Sequence, residues 1–186
     1  MVNKCGLTEK RMKDKRFRRT EEAFFKIVLV SGDYINIEKI VRETGISRTT
    51  FYRHHTAPQK IVDDYEEFVL DYYCRMMRNN KRMNTKVVFY QTIVFIMKHK
   101  SVIDLVIHRD GERLLREMMV EVLPRIAIEY RFSNRCNKMK EVYVGELVGI
   151  LRAWGKERFC DQQKEKVFSD LMFLTSTVRE RLEPLN

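Results

Sequence analysis

The 186-residue chain is poor in residues that break regular structure, with only seven glycines and three prolines. A sandwich or barrel of short strands needs frequent turns, so this scarcity argues against an all-β fold and favours long helices. The four cysteines, Cys5, Cys74, Cys136 and Cys160, share no CxxC spacing. A chain with this apolar content needs no disulfide scaffold, so free thiols in a reducing cytoplasm are expected. The longest apolar stretch, Val87 to Met97, is broken by Gln91 and Thr92 and is too short to span a bilayer. An apolar leader is also missing at the N-terminus, and a soluble, cytoplasmic protein without membrane association is expected. Chemistry-bearing motifs are equally scarce. His54, His55, His99 and His108 show no HExxH or similar metal spacing, and neither a glycine-rich phosphate loop nor a GxSxG elbow occurs. The residues therefore predict no enzyme, no metal and no cofactor.

What is present is apolar mass and positive charge. Apolar residues make up 44% of the chain, enough for a substantial core. The formal net charge is +10, and its distribution is uneven. In residues 1–60 fourteen basic side chains face seven acids, so most of the excess lies in the first third. A cationic end suits a polyanion, nucleic acid first and an anionic membrane surface second, although a solubilising tail has the same composition.

Helical spacing recurs along the chain. Residues 1–16 are basic and aperiodic and read as a flexible arm. Apolar residues then repeat from Phe17 to Val30. Asn36 is a suitable N-cap for a short helix with Ile37, Ile40 and Val41 inward, Gly45 closes it, and Ser47 caps another short helix through Phe51 to about His54. Pro58 opens a long helix with an apolar stripe of Ile61, Tyr65, Phe68, Val69, Tyr72 and Met76. Further helices are predicted at about 85–99, 101–108, 111–131, 137–158 and 161–183. The expectation is an all-α chain of about nine helices, divided into an arm (1–16), a three-helix module (17–60) and a larger helical domain (61–186).

The segment from Asn36 to His55 carries the functional signal. Two short helices meet at Gly45, Ile46 fills the gap, and an inward Phe51 pins the second helix. This is a helix-turn-helix pattern, which also occurs in helix pairs that never meet DNA. With Phe51 inside, Arg48, Thr49, Tyr52 and Arg53 fall on other faces. Arginine can pair bidentately with guanine, threonine can meet a base edge or a thymine methyl, and Tyr52 and Arg53 suit phosphates.

The stretch IEKIVRETGISRTTFYRHH resembles the signature of the TetR family of transcriptional regulators, most closely over GISRTTFYRH. The close likeness covers roughly residues 20–66. It implies three N-terminal helices that bind a palindromic operator in double-stranded DNA, and further helices that bind a small effector and form a homodimer. Asn36 then takes a phosphate-contacting place, Arg48, Thr49 and Thr50 the base-reading places, and Tyr52 another phosphate contact. Lys39, Ser47, Arg53, His54 and Lys60 complete the expected DNA-binding set. Two positions depart from the family pattern. His55 stands where an aromatic is usual, and Pro58 replaces a lysine, leaving Lys60 as its nearest cationic substitute.

Beyond the module, Tyr143, Leu147, Ile150, Leu151 and Trp154 form an apolar face, with Gly145, Gly149 and Ala153 alongside as a row of small residues. Leu171, Leu174 and Val178 belong to the stripe of the last helix, with Val167 and Leu182. Such stripes ordinarily pack within one protomer. YVGELVGILRAW followed by a helix resembles the TetR dimerisation pair, which implies an interface of Tyr143, Gly145, Leu147, Gly149, Ile150, Trp154, Leu171, Leu174 and Val178. Phe68, Tyr72, Met76, Phe89, Ile93, Met97, Leu115 and Met119 are candidates for an apolar effector pocket, or for an ordinary filled core. A protein partner in place of a small ligand, making the chain a coregulator or activator, is the other expectation for this domain.

Overall fold

The computed structural model describes residues 37–54, 57–79, 83–110, 112–130 and 137–182. Among these, every regular element is helical and no strand occurs. The eight α-helices are α1 (Ile37–Thr44), α2 (Arg48–His54), α3 (Pro58–Asn79), α4 (Thr85–Lys98), α5 (Lys100–Asp110), α6 (Arg113–Glu129), α7 (Asn137–Lys156) and α8 (Lys164–Leu182), with a 3₁₀ turn, Asp161–Gln163, before the last. The expected arm, the helix expected at 17–30, and Asn36 lie outside the described residues. None of the described helices is long and apolar enough to cross a membrane.

The chain falls into two compact units, Met1–Asp71 and Tyr72–Asn186. The expected boundary lay after residue 60; this division falls inside α3, because the helix begun at Pro58 runs on without a break to Asn79.

In the second unit α6 packs on α7, α7 on α8 and α8 on α4, while α5 packs against α4, α6 and α7. Local chemistry sets several boundaries. Asn84 caps α4 by accepting the Val87 amide at 2.9 Å. Pro124 lies inside α6 but on its exposed face, where the carbonyl it leaves without a donor can reach water. At the end of α7, Arg158 and Phe159 take positive φ values of 52° and 50°, which tucks Phe159 into the core. Its ring meets Trp154 edge-on at 5.1 Å, and the Trp154 indole donates to the Cys160 carbonyl at 2.9 Å.

The core face of α3 matches the expected stripe at Val69 and departs from it further along, while the side chains of Ile61 and Tyr65 lie outside the described residues. Val69, Tyr73 and Met77 are fully buried, whereas Phe68 and Met76 are half-buried and Tyr72 is 38% exposed. The helix is turned by one residue, about 100°. The doublets Tyr72-Tyr73 and Met76-Met77 make both settings equally apolar, and tertiary hydrogen bonding favours the observed one: the Tyr73 hydroxyl meets Thr92 at 2.8 Å, Thr92 in turn donating to the Val88 carbonyl.

Candidate nucleic-acid interface

Helices α1 and α2 pack together across a three-residue turn. Gly45 makes the turn possible: its φ is +68°, a left-handed value that costs a residue with a Cβ about 1 kcal/mol or more. Its amide still reaches the Val41 carbonyl at 2.9 Å and so closes α1. Ser47 caps α2, its hydroxyl accepting the Thr50 amide at 3.1 Å and its carbonyl the Phe51 amide at 2.9 Å.

Ile40 and Phe51 are fully buried and fix the inner faces of the pair. Since α2 is only two turns long, burial of Phe51 determines where its other side chains point. Ser47, Arg48, Thr49, Tyr52 and Arg53 are exposed, and Thr50 is half-buried. Phe51 and Tyr52 sit edge to face at 5.4 Å, the first sealed and the second 53% exposed. Thr50 Oγ1 receives the Ser47 hydroxyl at 3.0 Å and the Arg53 guanidinium at 3.5 Å. This hydroxyl is therefore already engaged within α2, while the side chains of Arg48, Thr49 and Tyr52 are exposed.

Of the other residues in the expected set, Lys39 is half-buried on α1 and Lys60 is exposed near the start of α3, paired with Asp63 at 3.6 Å. The side chain of His54 lies outside the described residues. One residue of this surface escaped sequence reasoning. Glu38, in the first turn of α1, holds the Arg48 guanidinium at 2.7 Å with both partners well exposed. Ten residues separate the two, and only the turn at Gly45 brings them together.

The eight candidate pocket residues differ in their burial. Phe89, Leu115 and Met119 are fully buried and Ile93 is 3% exposed, so these four fill the core. Ile93 and Met97 also border a groove of about 610 Å³ between α4 and the start of α8, together with Val87, Tyr90, Val94 and Phe168. Val87, Tyr90 and Val94 are 39%, 57% and 44% exposed. The sequence did carry a signal for this second apolar face: α4 is apolar on nearly every side, more than one core contact requires.

His99, at the C-terminal end of α4, lies 4.6 Å from Phe95 and 6.0 Å from Tyr72, ring to ring. Burial, and then the Lys98 charge, lower its pKa below the ordinary value. Its Nε2 is buried and makes no hydrogen bond.

The proposed interface residues divide in the same manner. Tyr143, Leu147, Trp154 and Leu171 are buried, and Trp154 also borders the α7–α8 groove. Gly149 is exposed, Gly145, Ile150 and Leu174 are half-buried, and the side chain of Val178 lies outside the described residues. A Cβ built on Gly145 or Gly149 would meet nothing within 4 Å, so each has open space beside it. Gly149, Ile150, Ala153 and Leu174 border a groove of about 470 Å³ that carries Glu146, Glu157, Lys166 and Asp170.

Cys74 and Cys160 are both half-buried; Cys5 and Cys136 lie outside the described residues. Among the described residues no group of His, Cys, Asp or Glu side chains could hold a metal ion. No known protein family, characterised protein or solved structure matches this chain.

Proposed function

We propose that this chain is a dimeric, sequence-specific DNA-binding transcriptional regulator of the TetR type, built as a repressor and working in the cytoplasm. The observation that carries this reading is the division of labour on α2. Phe51 is sealed inside while Arg48, Thr49 and Tyr52 stand exposed on the same short helix, in a chain whose first third carries most of its excess positive charge. A helix held in this way can enter a major groove with its N-terminal residues toward base edges. Arg48 reads guanine, Thr49 a neighbouring base, and Tyr52 and Arg53 hold phosphates.

Homodimerisation through α7 and α8 is supported by the open space at Gly145 and Gly149, which a helix from a second copy can approach closely. Two modules in a dimer read two half-sites of a palindrome, which supplies affinity a single module lacks. A small apolar effector fits the α4–α8 groove better than the filled core, given its volume and exposed lining.

The direct test is selection of duplexes from a random library by the full-length chain, followed by footprinting. Recovery of an inverted repeat with half-sites about one helical turn apart supports the proposal. Recovery of no preferred sequence, with binding that depends on salt alone, makes the chain a nonspecific polyanion binder.

A second reading replaces the small effector by a protein partner, with the chain acting as coregulator or activator. Exposure of Val87, Tyr90 and Val94 along one face of α4 favours it, because clustered exposed apolar side chains commonly mark protein contacts. Native mass spectrometry of chain purified from its own host separates the two, since a retained small molecule speaks for the effector.

A further inference from the structure

Arg48 is the residue best placed to read a base, and it is already occupied. Its Nη2 lies 2.7 Å from Glu38 Oε1, across the turn from α2 to α1. We propose that Glu38 lowers the affinity of the DNA surface by competing with DNA for Arg48, so that only a site with a matching base recovers the loss. The inference rests on the DNA-binding reading above and adds a residue and a mechanism to it.

The competition follows from the relative strengths of the contacts. The ion pair is open to water, with side-chain exposures of 60% for Arg48 and 66% for Glu38. An exposed pair of this kind shifts an equilibrium by only about two- to five-fold, so DNA can displace it. A correct bidentate contact to guanine is worth about ten- to a hundred-fold in discrimination and outweighs that loss. A stray phosphate contact in water is a weaker interaction and barely offsets it. Glu38 therefore taxes every complex alike, but only the matched site returns more than the tax. Until then it holds the guanidinium over the N-terminal corner of α2, and its own charge repels phosphates that approach without a matching base.

The test compares the full-length wild type with Glu38→Gln, Arg48→Ala and the double variant. The two probes are a duplex recovered from a random library by the wild type and a scrambled duplex of the same composition. Both side chains are exposed, so all four proteins should fold, and circular dichroism checks this. Glu38→Gln should bind both duplexes more tightly by a similar factor of about two to five, leaving the ratio between them nearly unchanged. The gain should largely vanish when Arg48 is already alanine. An equal gain in both backgrounds would reduce Glu38 to a bulk repulsive charge and overturn the inference, as would no gain at all. Failure of the wild type to select any sequence would instead overturn the DNA-binding reading itself.

Discussion

Tyr143 and Thr175 share a hydrogen bond of 2.6 Å between α7 and α8, and its direction is set by a second bond. Thr175 gives its single hydroxyl proton to the Leu171 carbonyl at 2.7 Å, so the phenol must be the donor to Thr175. The two partners are thus unequal. Tyr143→Phe leaves Thr175 with its proton still placed and should cost about 1 kcal/mol, whereas Thr175→Val takes the Thr175 acceptor away from a buried phenol and should cost about 2 kcal/mol or more. Urea unfolding of both variants measures the order, and a reversed order contradicts the assigned direction. Tyr73, Thr92 and the Val88 carbonyl repeat the arrangement, so Thr92→Val should likewise exceed Tyr73→Phe. Burial pushes both phenols above the ordinary tyrosine range, as neutral donors in a core require.

Acid should weaken the fold through His99. Burial, with the adjacent Lys98, lowers its folded-state pKa, so in the window just below the ordinary histidine value the unfolded chain binds more protons. Its contribution is complete above roughly pH 6.5 and is lost as pH falls. Denaturation midpoints should decrease from pH 7.5 to pH 5.5, and His99→Gln should decrease less. An identical slope in the variant would assign the acid sensitivity to another group.

Two glycines should respond to alanine in opposite ways. Gly45→Ala forces a Cβ into a left-handed conformation and should destabilise the α1–α2 pair by about 1 kcal/mol. Gly149 lies in a helix with open space before it, so Gly149→Ala should raise protomer stability by up to about 1 kcal/mol. The same position tests the proposed dimer. Gly149→Arg should leave the circular dichroism spectrum unchanged and convert dimer to monomer in sedimentation velocity. A variant that sediments as the wild type does would move the interface elsewhere.

On the proposed DNA surface, Arg48→Ala and Tyr52→Phe should fail differently. Losing a base reader relaxes preference at one position of the half-site by about ten-fold, while losing a phosphate contact weakens all sequences alike. Gel retardation against single-base variants of the selected duplex distinguishes them. Uniform weakening by both variants would assign Arg48 to the backbone as well.

The sequence was most legible where one rule acted alone. Helices expected near 85–99, 111–131 and 137–158 correspond to α4, α6 and α7, because apolar periodicity and few breakers pointed the same way. The inward Phe51 and the turn at Gly45 were readable because a two-helix corner leaves few choices for either. Legibility failed where periodicity was degenerate or where contacts crossed the chain. The doublets on α3 gave two equivalent stripes, and only the Thr92 hydroxyl on another helix selected between them. Apolar residues on α7 and α8 cannot declare from spacing alone whether they face inward or outward. Tyr143 and Trp154 therefore read as interface residues although both are buried, while the open face belongs to Gly149 and Ile150. Glu38 was invisible for another reason: an acid in a first helical turn reads as a dipole partner, and only the folded turn shows it holding Arg48.

Trp154 is the chain's single tryptophan, and its position gives the protein an intrinsic optical reporter. The indole is only 1% exposed, is hydrogen-bonded to Cys160, and forms part of the wall of the α7–α8 groove. Its fluorescence should be blue-shifted in the native chain and move to the red on denaturation. A second copy or a ligand seated in that groove should perturb the same emission without unfolding anything, so assembly and melting can be followed on one unlabelled sample.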